Sequence, residues 1–104
     1  MALTRDFRAT VRARVERDAE FRAGLLTEAI NLLLAGETTP GKSLLRTYVN
    51  ATVGFEALAR EVGIPSKSLM RMLSDKGNPR AEHLFPIIRA LQEQTGVNLQ
   101  TMAA

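Results

Sequence analysis

Apolar residues along this chain recur at helical spacing. Phe7, Val11 and Val15 fall four apart between Asp6 and Arg17, with Arg5, Arg8 and Arg12 on a neighbouring polar face, which predicts a first amphipathic helix. A second is expected from Asp18 or Glu20 to Leu34, carrying Phe21, Leu25, Ala29, Leu32 and Leu33 and stopped by Gly36. The segment Gly36-Glu37-Thr38-Thr39-Pro40-Gly41 is rich in turn formers, with Thr39 placed to cap a third helix that opens on Pro40 and carries Leu44, Leu45, Tyr48 and Val49.

The pattern breaks at Thr52-Val53-Gly54 and resumes as two short stripes. Phe55, Leu58, Ala59 and Val62 predict a fourth helix of about two turns ending at Gly63. A fifth is expected from Pro65 or Ser66 to Ser74, burying Leu69, Met72 and Leu73 and stopping near Gly77-Asn78-Pro79. Leu84, Ile87, Ile88 and Leu91 predict a sixth that ends at Gly96. Pro86 lies inside it and has no N–H to give Glu82, so the helix either kinks there or begins later than Ala81. The tail Val97-Asn98-Leu99-Gln100-Thr101 alternates apolar with polar, which suits a short strand or an extended segment. The predicted fold is an all-α, compact bundle of about six short helices containing a helix-turn-helix. It forms one domain over 1–104, with N-terminal helices at 1–35, the helix-turn-helix core at 36–96 and a tail at 97–104.

With 104 residues and 45% hydrophobic content, the chain is long enough for one core. It has no cysteine, which excludes disulfides, thiolate metal sites and cysteine nucleophiles. The longest apolar run, Leu32 to Ala35, is far below the ~20 residues of a membrane helix, and the first residues lack a signal peptide's apolar stretch, so a cytoplasmic location off the membrane is expected. Fourteen Lys and Arg stand against eleven Asp and Glu, a net charge of +3, and eleven of the fourteen are arginine. That balance favours polyanionic partners, and arginine suits phosphate and guanine, although coding bias also enriches it. His83, the single histidine, has no carboxylate pair around it, and no nucleophile–base pair or phosphate-cradling glycine loop is present. The sequence therefore implies no catalytic residue, no metal site and no cofactor.

The segment Phe55 to Ser74 has what two closely crossing helices require. Ala59 is small at the crossing, Gly63 can take positive φ at the turn, Ile64 can plug the corner, and Leu69 and Met72 can pack back on Leu58 and Val62. This leaves Ser66, Lys67, Ser68, Met70, Arg71 and Ser74 on the outer face of the second helix: donors, cations and one flexible apolar group, chemistry suited to a DNA major groove. Met70 can meet a thymine methyl or pack on a partner chain. Lys76 and Asn78, with Arg80, can reach the phosphate backbone from the turn that follows, a turn that also simply ends the helix.

Leu58-Ala59-Arg60-Glu61-Val62-Gly63-Ile64, followed by Leu69 and Met72, resembles the helix-turn-helix of the phage-repressor (lambda repressor and Cro) superfamily over roughly Val53 to Leu91. Gly54-Phe55-Glu56-Ala57-Leu58-Ala59-Arg60, Lys67-Ser68-Leu69-Met70-Arg71-Met72-Leu73, Gly77-Asn78-Pro79 and the earlier Leu44-Leu45-Arg46 resemble its branch of addiction-module antidote proteins and related small bacterial regulators. The resemblance implies a five-helix core, the helix from Pro65 in the major groove of double-stranded DNA, and a two-fold dimer. For antidote members it also implies a cognate toxin partner and repression of their own operon. Phe55 stands where many members carry a phosphate-touching glutamine, and Pro65 where a serine cap is usual, with Ser66 available to cap one residue later.

A homodimer is expected on physical grounds as well, because one short recognition helix spans few base pairs. Its interface lies either in the tail, where Val97, Leu99 and Thr101 share a side and two tails can pair as strands, or around Phe21 and Leu25. In the first case Val97 and Leu99 are exposed; the alternative is that they fold back on their own core. The rival functional reading is a protein-interaction module, with a toxin or another regulator as its partner and DNA binding weak or lost.

Overall fold

The computed structural model describes residues 9, 10, 12–14 and 17–104. The first expected helix, with Phe7, Val11 and Val15, lies largely outside them, although the described residues from 9 to 17 have helical backbone. Five helices follow: α1 (Ala19–Leu34), α2 (Thr38–Ala51), α3 (Gly54–Val62), α4 (Ser66–Met72) and α5 (Ala81–Thr95). No strand occurs among the described residues, and the class is all-α. None of their helices is long and apolar enough to cross a membrane. The radius of gyration, 13.1 Å, is that of a compact chain of about 100 residues.

Asp18 caps α1, its carboxylate accepting a bond from the Phe21 N–H at 3.0 Å. Arg14 braces this corner, with its guanidinium 4.4 Å from the centre of the Phe21 ring and its Nε 3.8 Å from the Asp18 carboxylate. The residues that α1 buries completely are Leu26 and Ala29, whereas Phe21, Leu25, Leu32 and Leu33 are only partly covered. α1 packs along α2, and the core joins Leu26 and Ala29 to Leu45, Tyr48 and Val49 of α2, Phe55 and Leu58 of α3, Leu69 and Leu73 around α4, and Ile87, Ala90 and Leu91 of α5.

Four expectations about element ends change. α2 begins at Thr38 with Glu37 at its cap position, so Thr39 lies within the first turn and Pro40 third, where a missing N–H costs nothing because first-turn donors have no partner inside the helix. α4 is shorter than expected, stopping at Met72, and its cap position is Pro65 with no side-chain bond, so Ser66 is the first helical residue and not a cap. α5 begins at Ala81, not later, and continues past Pro86 to Thr95. Pro86 and Glu82 are both exposed, so the Glu82 carbonyl that Pro86 cannot satisfy is on the side of the helix that faces water.

The tail is the fourth. It has no regular structure, Val97 is buried in the core, and Leu99 packs against that core with its N–H donated to Gln92 Oε1 at 2.9 Å. Val97 and Leu99 cover their own bundle, and with no strand in the tail the tail-to-tail strand pairing considered as a dimer interface is not the arrangement seen; Met102 is 89% exposed. Tyr48 ties the same end together: its hydroxyl donates to Thr95 Oγ1 at 2.8 Å, and Thr95 Oγ1 donates to the Leu91 carbonyl at 2.7 Å.

Candidate nucleic-acid interface

α3 and α4 are joined by Gly63-Ile64-Pro65. Gly63 has φ 71° and ψ 28°, the left-handed conformation that ends a helix and that glycine adopts without a Cβ clash, and its N–H donates to the Ala59 carbonyl at 2.9 Å. Ile64 packs against the core as the corner plug. Pro65, φ −56° and ψ 142°, leads into α4, and its carbonyl accepts from the Leu69 N–H. Leu69 and Leu73, four residues apart, are both fully buried and anchor α4 to the bundle, with Met72 beside them. α4 makes its principal helix contact with α3.

The face opposite Leu69 is open. Lys67, Met70 and Arg71 stand at helical positions i, i+3 and i+4 and are all exposed, Met70 to 45%. α4 carries no acidic residue. Ser66 and Ser68 are half-buried at the edge of this stripe. Ser74 falls outside the helix, in the turn, and its hydroxyl donates to the Arg71 carbonyl at 2.6 Å, so it terminates α4 more than it extends the exposed face. Lys76 and Asn78 are exposed on the same turn, and Arg80 pairs with Glu82 at 3.4 Å. Between 54 and 80 five cations stand against three carboxylates. Phe55 is a core residue, 6% exposed, and makes no part of a surface.

Two basic residues that sequence reasoning did not assign to this region hold its turn in place. Lys42 of α2, only 3% exposed, sends its ammonium to the carbonyls of Asp75, at 3.2 Å, and Gly77. Arg46, one helical turn further along, donates from Nη1 to the Leu73 carbonyl at 2.5 Å and lies 3.9 Å from the Asp75 carboxylate through Nη2. The turn itself lies tight against the end of α4. A Cβ on Gly77 would sit 2.0 Å from the Arg71 carbonyl oxygen and 2.5 Å from that of Met72, distances that only glycine avoids. Carbonyls at the C-terminal end of a helix attract cations, which is the arrangement Arg46 makes at Leu73, while Lys42 bonds the turn beyond it.

Among the described residues no three His, Asp or Glu side chains gather in a way that could hold a metal ion. Comparison with known protein families, characterised proteins and solved structures finds no match to this chain.

Proposed function

We propose that this chain is a sequence-specific DNA-binding transcriptional regulator, a repressor that acts as a homodimer on double-stranded DNA. The observation that carries the reading is the division of α4 into a buried side, Leu69, continued by Leu73 at its cap, and an exposed side, Lys67, Met70 and Arg71, across a Gly63 turn from α3. A short helix held this way presents cations and one apolar group together, and arginine or lysine on guanine beside a methionine on a thymine methyl are pairings of the major groove. Lys76 and Asn78 flank the stripe where a duplex laid along α4 presents phosphates. Two copies would place their helices about 34 Å apart, one turn of the duplex.

Selection of bound duplexes from a random pool, followed by shift assays with the winners and with the chain's own upstream region, tests this reading. Enrichment of a two-fold sequence supports it; a pool that stays random contradicts it. Sedimentation of the free chain checks the homodimer.

The protein-interaction reading keeps one observation of its own. Leu34 and Phe85, 75% and 66% exposed, are large apolar side chains that the bundle leaves uncovered, and Phe55 is too deeply buried to touch phosphate. A cognate toxin, in the manner the sequence resemblance implies, is the partner this reading names, and the two readings combine in an autoregulating antitoxin. Co-expression with the product of an adjacent reading frame and joint purification tests it.

A further inference from the structure

Lys42 and Arg46 are bonded to the backbone of the turn that follows α4. An ammonium buried to 3% exposure is costly unless it is bonded, and the bonds Lys42 makes are to the carbonyls of Asp75 and Gly77, in the turn that carries Lys76. Arg46 grips the same turn one residue after α4 ends, at Leu73. Local bonds define the start of the turn, Leu73 N–H to the Leu69 carbonyl and the Ser74 N–H and hydroxyl to the Arg71 carbonyl, whereas beyond Ser74 the backbone bond is Gly77 N–H to the Ser74 carbonyl. The far part of the turn, Asp75 to Gly77, is held to the bundle by Lys42 of α2 and by the close seating of Gly77 against Arg71 and Met72.

We propose that Lys42 and Arg46 are positioning residues for DNA recognition: without touching DNA they fix the 73–77 turn, and so hold Lys76 and Asn78 in register with Lys67 and Arg71. The inference rests on the DNA reading proposed above. Burial and bonding, not charge, distinguish the two kinds of cation here: Lys76 is exposed and free to neutralise a phosphate, whereas Lys42 is enclosed by protein carbonyls.

A double-mutant cycle on the full chain tests it, with a duplex that the unsubstituted chain binds. Lys42→Met and Lys76→Gln are each expected to weaken binding about tenfold and to make the salt dependence shallower by about the same amount, the size of one lost phosphate contact. The double variant is expected to bind no more than about twofold worse than Lys42→Met alone, because the second change removes a contact already out of register. Arg46→Lys keeps a cation within reach of the Leu73 carbonyl and retains binding, whereas Arg46→Gln weakens it about tenfold. Should Lys42→Met fail to fold by circular dichroism, Arg46→Gln, at a half-buried position, takes its place in the cycle. Losses that multiply in the double variant, or a folded Lys42→Met that binds like the unsubstituted chain, overturn the proposal. Failure of the unsubstituted chain to bind any duplex overturns the DNA reading itself, before a variant is compared.

Discussion

The Tyr48 hydroxyl, on α2, donates to Oγ1 of Thr95, 2.8 Å away at the last residue of α5. Burial pushes the phenol above its ordinary value of 10.0, against smaller opposing effects from the Thr95 hydrogen bond and the nearby Arg22 charge. The folded chain thus holds this proton more tightly than the unfolded one. Its contribution to stability is complete below pH 10 and is lost as pH rises above 10 towards the folded value. Denaturant unfolding from pH 8 to 11 should show a fall in stability at the alkaline end that is smaller in Tyr48→Phe. That variant should also cost about 1 kcal/mol at neutral pH for the lost hydrogen bond. The chain has one tyrosine and no tryptophan, so phenolate absorbance reports the titration directly.

Gly77→Ala should displace the turn after α4. The added carbon meets backbone oxygens, which cannot swing aside as the end of a side chain can, and overpacking of this kind costs about 1–3 kcal/mol. Thermal melts and DNA affinity should both fall. A variant as stable as the parent would show that the turn has room the structure does not give it.

Ala59→Leu should distort the α3–α4 crossing. Ala59 packs against the core and its carbonyl caps the helix through Gly63, so a larger side chain there pushes the two helices apart, again at about 1–3 kcal/mol. Leu69→Ala, which removes the anchor and leaves a cavity, should cost about 2–5 kcal/mol. Asp18→Ala, at the cap of α1, should cost about 0.5–2 kcal/mol with no effect on DNA affinity at saturating fold. Denaturant titration ranks all three.

The helix pair and its exposed stripe were legible in the sequence because they depend on near neighbours. Leu69 and Leu73 fall four apart, Lys67 and Arg71 fall four apart on the other side, and Gly63 punctuates the two helices. What lay beyond reach is what depends on distant segments. Nothing in the periodicity around Lys42 or Arg46 distinguishes a cation bonded to a carbonyl 35 or 27 residues away from one that faces water. α1 is apolar around much of its circumference at Leu25, Leu26, Leu32, Leu33 and Leu34, so spacing alone does not say that Leu26 is buried completely. Pro86 reads as a helix breaker only until Glu82 is known to face solvent. The tail's alternation was real, but the side that Val97 and Leu99 share is turned towards their own bundle.

Arg71→Ala separates the two ways an exposed arginine on α4 can act. On the preferred duplex it should cost about 1–3 kcal/mol, and less on random DNA, because a bidentate contact to a base is lost only where that base is present. Equal losses on both would make Arg71 a phosphate anchor and move sequence reading to Lys67 and Met70.

The central claim is that α4 and its following turn bind duplex DNA through lysine and arginine, and a salt titration of that binding tests it most directly. Each phosphate neutralised releases counterions, so the logarithm of the association constant should fall by about 0.9 for every tenfold rise in salt per phosphate contacted. A slope equivalent to at least about two phosphates per protomer is predicted, shallower by about one contact in Lys76→Gln. Binding that stays constant across the salt series, or a slope that Lys76→Gln and Arg71→Ala leave unchanged, would contradict the account.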